Sequence, residues 1–180
     1  MHDTWRARVR QAEGRHTHPP AGCRDSHCVN TTALGGECGS DRGQQVQGRT
    51  RHRLVETRGL RLAVLVTAAS VSDPAGARLR LARLGGAWKP LHRLWVDGTS
   101  RGQLGEWLAQ QRPFWRRVTW RPEGRTDVVL LPRRWGVERT LAWLNQSRRL
   151  RKDDERLPMS REAMLVLSMT RLMLRRLTAT

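Results

Sequence analysis

The sequence has 180 residues, with 34 lysines and arginines against 16 acidic residues, so its formal net charge is +18. This length suits one domain, the 38% hydrophobic content supports a modest core, and eight tryptophans argue against a wholly disordered chain. The charge favours a polyanionic partner, above all nucleic acid. A membrane partner is disfavoured, because the longest apolar run, residues 62–69, is too short to cross a bilayer and no lipidation signal is present.

The first 52 residues are rich in glycine, arginine, threonine and histidine and show little apolar periodicity, so we interpret them mainly as loop. The exceptions are a short helix near residues 4–12 and a first strand at residues 21–25. We take residues 1–20 as a linker or remnant helix that precedes one domain, residues 21–180. The first twenty residues contain no secretory signal, and three cysteines cannot close a disulfide framework, which predicts a cytoplasmic protein.

From residue 53 onwards the pattern is regular. Residues 54–57 and 60–70 flank Gly59 and predict a β-hairpin. Asp73-Pro74 predicts the start of a helix that ends at Gly85-Gly86. The remaining predicted elements are a strand at 93–97, a helix at 101–111, strands at 118–120 and 128–131, and helices at 133–150 and 160–177. This alternation predicts an α/β fold with a mixed sheet flanked by helices.

Three acidic residues stand out by their placement in these elements. Asp97 ends an apolar strand, and the carboxyl ends of strands are where α/β sheets place their sites, although Asp-Gly is also a common turn. Glu138 lies beside the apolar stripe of its helix, although an ion pair with Arg134 explains a lone glutamate there more simply. Asp25, taken alone, is a loop aspartate.

These three carboxylates, from a first strand, a later strand and a late helix, can meet at one site. They would repel one another unless a cation neutralised them, and hard oxygen ligands select Mg²⁺ or Mn²⁺. Two such ions about 3.5–4 Å apart can activate a water or a 3′-hydroxyl for phosphodiester displacement. A basic protein around an acidic centre therefore suits the cleavage of DNA.

At this point several segments together resemble the catalytic part of bacterial insertion-sequence DDE transposases. The resemblance spans about residues 4–177 and is most specific in Leu131-Pro132-Arg133-Arg134-Trp135 through Glu138-Arg139-Thr140. Its other segments are Asp25-Ser26 to Thr32, Gly35-Gly36-Glu37 leading to residues 48–55, Trp95-Val96-Asp97-Gly98 with Arg101, residues 148–158 and residues 171–177.

The resemblance implies an RNase H-like fold and a transposase that cleaves transposon ends and transfers the freed strand. It places the metal-binding catalytic acids on Asp25, Asp97 and Glu138, with two Mg²⁺ or Mn²⁺ ions and no other cofactor. The implied partners are terminal-repeat and target DNA in the bacterial nucleoid. Whether the protein forms a homodimer in its complex with DNA is left open. The expected DNA-binding residues are Arg49, Arg51, His52, Arg101, Arg133, Arg134, Arg139, Arg148 and Arg149.

Members of this family carry an N-terminal helical DNA-binding region, so we expect a truncated copy, either active or inactive. A second class of function stays open, namely a non-catalytic basic nucleic-acid-binding protein with salt-sensitive, metal-independent binding. Cys23, Cys28 and Cys38 with His27 are also weighed as a zinc site, but their spacing fits no common pattern. Trp135, beside two arginines, is the best candidate for stacking on an unpaired base.

Overall fold

A computed structural model of the chain describes residues 1–32, 36–43, 45–84, 91–95, 106–107, 110 and 135–178. The described part is a mixed sheet of five strands flanked by helices. Its elements are α1 (His2–Ala12), β1 (Ala21–Asn30), β2 (Gly39–Asp41), β3 (Val46–Glu56), β4 (Arg61–Ala68), α2 (Asp73–Leu84), β5 (Arg93–Trp95), α3 (Trp135–Asn145), a 3₁₀ helix (Arg148–Leu150) and α4 (Pro158–Thr178).

The long strand β3 organises the sheet. One of its edges pairs with β1 in antiparallel register, and its other edge pairs with β4 and, near its start, with β2. On the far side of β1, β5 runs parallel to it, with Cys23 opposite Trp95. The strand β1 therefore lies between two neighbours, one antiparallel and one parallel.

The two faces of the sheet carry different helices. Side chains alternate along a strand, so the odd-numbered residues of β1 and β3 share one face. On that face Cys23 and Val55 pack against Val137 of α3, and α4 packs on β4. On the opposite face α2 crosses β3 and β4 so closely that a Cβ on Gly76 would lie 2.2 Å from the ring of His52. Only glycine fits at that crossing.

The predicted hairpin is confirmed, since β3 and β4 are joined by a turn in which Gly59 has a φ of +80°, a conformation that glycine adopts without strain. Four of the predicted helices are also present, as α1, α2, α3 and α4. The predicted helix over residues 133–150 differs in detail, because α3 ends at Asn145 and a separate 3₁₀ turn follows. The predicted strands at 118–120 and 128–131 lie outside the described residues, as does most of the predicted helix at 101–111.

The interpretation of residues 1–52 as mainly loop is wrong. The strand β1 continues five residues beyond the predicted 21–25, and β2 and the first seven residues of β3 lie in this stretch. The polar character of the region hid them. Two arginines of β3 in this stretch, Arg49 and Arg51, face the interior of the protein, where acidic and carbonyl oxygens replace the water that such residues usually require.

The helix α1 packs against α4, and its Val9 belongs to the main apolar cluster together with Leu165, Met169 and Met173. It therefore shares the core of the region that follows it. The division of the chain at residue 20 stays a prediction. Among the described helices, none is long and apolar enough to cross a membrane.

Candidate functional site

Asp25 lies in the middle of β1, on the face that α3 and α4 cover. It stands directly opposite Arg53 of β3, and Nη2 of Arg53 donates a hydrogen bond of 2.5 Å to Oδ2 of Asp25. The Asp25 side chain is 13% exposed, and its other oxygen, Oδ1, forms no hydrogen bond with the described residues. The carboxylate is thus held firmly by one oxygen and open at the other.

Glu138 lies in the first turn of α3 and is exposed. The helix is anchored by Val137, which is buried against Cys23 of β1, and by Thr140, whose hydroxyl donates to the Gly59 carbonyl oxygen at 2.6 Å. Because Cys23 and Asp25 share a face of β1, α3 packs on the face that carries Asp25. The structure therefore places two of the three predicted acids on elements that pack together, while Asp97 lies outside the described residues.

Three of the predicted DNA-binding residues are in the interior of the described fold. Arg49 is fully buried and donates to the carbonyl oxygens of residues 37, 155 and 156 as well as to Asp153. Arg51 donates to the carbonyl oxygens of residues 150 and 152, and the ring of His52 contacts the Thr67 hydroxyl. In this conformation the three residues hold the sheet to its surroundings, so we leave them out of the DNA-binding surface proposed below.

Burial lowers the pKa of Arg51 to about 10, with nearby Arg161 as a second cause. Among the described residues the guanidinium forms no ion pair with a carboxylate, and it donates to the carbonyl oxygens of Leu150 and Lys152 in the segment 148–156. Arg161 of α4 uses the same segment, since it donates to the carbonyl oxygens of Arg149 and Lys152 at 2.6 Å each. A set of buried arginines therefore ties this segment to the sheet.

Asp153 is the acidic centre of that arrangement, and the sequence analysis assigned it no role. It is fully buried, and its Oδ1 accepts hydrogen bonds from Arg161 at 2.9 Å and from Arg49 at 3.3 Å. Its backbone N–H also donates to the carbonyl oxygen of Asn30, the last residue of β1, and its carbonyl oxygen accepts from Thr32. The alternation of Arg49, Arg51 and Arg53 along β3 is the signal that indicates one arginine-lined face, because side chains on a strand repeat every second residue.

The remaining predicted DNA-binding residues are exposed or partly exposed, or they lie outside the described residues. Arg148 and Arg149 are exposed at the 3₁₀ turn, where Arg149 pairs with Glu155 at 2.8 Å. Arg139 of α3 lies over the ring of Trp135, 3.5 Å from the ring centroid. Arg101, Arg133 and Arg134 are not among the described residues.

An arginine-lined cleft lies beside the start of α3. It has a volume of about 310 Å³ and is lined by Arg15, Thr57, Arg58, Arg93, Trp95 and Trp135. Arg58 is partly neutralised by Glu13, whose carboxylate lies 2.7 Å from Nε. Trp135 is 39% exposed, and Arg139 covers one face of its ring. The cleft combines positive charge with an aromatic surface, which is a common arrangement in sites for nucleic acid.

The donor chemistry of the described acids fits a hard divalent cation, because Oδ1 of Asp25 and the exposed Glu138 both offer carboxylate oxygens. Within the described part of the chain, no three histidine, cysteine or acidic side chains come together in a way that could hold a metal ion. The described residues do not support the zinc hypothesis. Cys23 and Cys28 are both buried free cysteines, and the sulfur of Cys28 contacts the Thr50 hydroxyl.

A mixed sheet with a central β1, a parallel neighbour and helices on both faces belongs to the class of RNase H-like α/β domains. The family model described as Transposase DDE domain matches residues 16–173, so the chain belongs to the transposase DDE domain family. No curated protein matches the chain. The family implies a transposase or nuclease type of activity, DNA as the partner and a general use of divalent metal ions.

Proposed function

We propose that this protein is the transposase of an insertion sequence, which cleaves DNA at the transposon ends and joins the freed 3′-hydroxyl to target DNA. The family match supports the transposase class. The observation that carries the finer proposal is that Asp25, a partly exposed carboxylate in the middle of the central strand, lies on the face of β1 against which the helix that bears Glu138 packs.

The sheet register supports the inclusion of Asp97. Cys23 of β1 pairs with Trp95 of β5, and Asp25 and Asp97 each follow those residues by two positions in the sequence. A parallel pairing that continued in the same register would bring both aspartates to the same level and the same face. We therefore propose that Asp25, Asp97 and Glu138 hold two Mg²⁺ or Mn²⁺ ions. Such ions, when bound, supply Lewis-acid activation of the attacking and leaving oxygens.

The DNA-binding surface that we propose consists of Arg139, Arg148 and Arg149 together with the arginine-lined cleft. Arginine forms bidentate bonds with phosphate oxygens, which positions the DNA backbone without reading its sequence. Arg101, Arg133 and Arg134 remain proposed contacts from the sequence. In this proposal the protein acts on DNA of the bacterial nucleoid. It forms a homodimer in its complex with that DNA.

The test uses DNA that carries the inverted repeats flanking the coding sequence. We expect nicking at the repeat ends with Mg²⁺ or Mn²⁺ and none with EDTA. Asp97→Asn and Glu138→Gln should each abolish nicking, because each removes a metal ligand, while leaving DNA binding intact. Glu37→Gln is the matched control, because Glu37 is also exposed and is not part of the proposed site.

A second function is favoured by the ion pair between Arg53 and Asp25, which already neutralises one of the acids. In that case the protein binds nucleic acid without cutting it, as a basic protein of net charge +18. Salt-sensitive DNA binding that is unaffected by EDTA, with no nicking by the unsubstituted chain, would favour this second function over the transposase.

A further inference from the structure

Asp25 forms an ion pair with an arginine of the neighbouring strand, so a positive charge already lies beside it. The Arg53 guanidinium lies 2.5 Å from Oδ2, directly across the β1–β3 pair, and its side chain is 5% exposed. In the usual arrangement of clustered carboxylates, a metal ion supplies the positive charge that offsets their repulsion. Here an arginine of the neighbouring strand already supplies one unit of it.

The surroundings of Arg53 make this pairing hard to exchange. Its side chain lines a small apolar cavity beneath α3 and α4, together with Val64, Leu144 and Leu165. The Nε of Arg53 has no hydrogen-bond partner among the described residues, and Asp25 is the only acid in that part of the chain that forms an ion pair with it. A buried guanidinium that lost this carboxylate would be an uncompensated charge, which is costly.

Because Arg53 occupies Oδ2 and leaves Oδ1 open, a divalent cation can still approach Asp25, but it meets a fixed positive charge on the other side of the same carboxyl group. Like charges that share a partner repel, and they do so more strongly where water is excluded. We propose that Arg53 determines the divalent-metal affinity of the site and keeps it low, as an internal counter-ion of Asp25. This inference rests on the proposed function, which assigns Asp25 to the metal.

Arg53 is then a positioning residue with two opposite effects. It fixes the Asp25 carboxylate in one orientation, as hydrogen-bonded partners of metal ligands do. It also subtracts negative charge from the site. The reduction of negative charge is the larger effect, because the ion pair places a full unit of positive charge beside the Asp25 carboxylate. Removal of the charge must therefore tighten metal binding.

The experiment is a titration of the DNA-free protein with Mn²⁺, followed by the electron paramagnetic resonance signal of free Mn²⁺. Arg53→Met is expected to lower the Mn²⁺ Kd about tenfold, equivalent to about 1.4 kcal/mol, which is the smaller end of the effect that one unit charge has on a carboxylate within about 4–6 Å. Arg53→Lys keeps a positive charge beside Asp25 and, because the effect on metal affinity comes from that charge, is expected to leave the Kd within about twofold of the unsubstituted protein.

Two further variants make the result specific to Asp25. Arg42→Gln removes one exposed positive charge near β2 and is expected not to change the Kd, because it lies beyond the opposite end of β3 from Arg53. In the Arg53→Met background, Asp25→Asn is expected to abolish the gain in affinity. If Arg53→Met fails to fold by circular dichroism, Arg53→Gln replaces it, with the same expectation.

An unchanged or weaker Kd in the neutral variants would overturn the proposal, as would a gain that survives Asp25→Asn. These outcomes are separable from the fate of the transposase proposal, because the titration contains no DNA. Tighter Mn²⁺ binding in a protein that never nicks terminal repeats supports the role of Arg53 and refutes the transposase. Metal-dependent nicking together with a Mn²⁺ Kd that does not change in the Arg53 variants supports the transposase and refutes the role of Arg53.

Discussion

Asp25 and Asp153 are two aspartates held by arginines of the same strand, β3, and they differ in how completely they are enclosed. Asp153 is fully buried, and its Oδ1 is shared by Arg49 and Arg161. Asp25 has one arginine, is 13% exposed and keeps one oxygen open. The same acid–arginine chemistry thus forms a closed structural link at one position and an accessible carboxylate at the other.

The two aspartates differ in enclosure because different segments cover the two ends of the arginine-lined face of β3, the face that carries Arg49, Arg51 and Arg53. Over Asp153 lie the segment 148–156 and the start of α4, whose carbonyl oxygens satisfy the arginines that the acid alone cannot. Over Asp25 lies no such segment among the described residues. A fully buried carboxylate that pairs with two arginines contributes to folding, whereas a partly exposed one keeps capacity for a ligand.

The largest effect that this comparison predicts is the loss of stability in Asp153→Asn. The substitution leaves Arg49 and Arg161 buried without a carboxylate, so we expect the free energy of unfolding to fall by about 3–5 kcal/mol. Urea denaturation measures it. The control is Asp154→Asn at the exposed neighbouring position, which should stay within about 0.5 kcal/mol of the unsubstituted protein. Equal losses in the two variants would contradict the structural role of Asp153.

Asp25→Asn should have an intermediate effect on stability and a distinct effect on metal response. Its hydrogen bond to a charged partner is lost or weakened, which costs about 1.5–3 kcal/mol. Millimolar Mn²⁺ should raise the Tm of the unsubstituted protein, because a ligand that binds only the folded state stabilises it, and should leave the Tm of Asp25→Asn unchanged. If Asp25→Asn proved less stable than Asp153→Asn, the contrast between an open and a closed carboxylate would be wrong.

The smallest effect is expected for the ion pair that Glu155 forms with the exposed Arg149, in Glu155→Gln. The Glu155 carboxylate pairs with Arg149, whose side chain is 62% exposed, and such surface pairs contribute less than about 1 kcal/mol. The Glu155 carbonyl oxygen, which accepts from Arg49, is unaffected by the substitution. Urea denaturation in low and high salt is the measurement, and a loss as large as that of Asp153→Asn would show that the segment depends on its surface charges.

The sequence predicted the elements whose signals are local. The hairpin around Gly59 follows from a turn residue between two β-prone runs, and α4 follows from a 3.6-residue apolar period that buries Leu165, Met169 and Met173. The family resemblance, confirmed by the match over residues 16–173, also rests on residues close together in the chain. The lengths of β1 and β3 did not follow from the sequence, because arginines, which these strands contain, usually lie on the surface of a protein.

The sequence by itself therefore determined the class of protein and its strongly basic character, and it predicts the acids that we propose as ligands. Only the tertiary structure decided which charges lie inside. Arg49 and Arg51 become buried because oxygens about a hundred residues further along the chain meet them there, and no local pattern contains that information. Arg53 is placed against Asp25 by the register of two strands, since a shift of one residue would send its side chain to the other face.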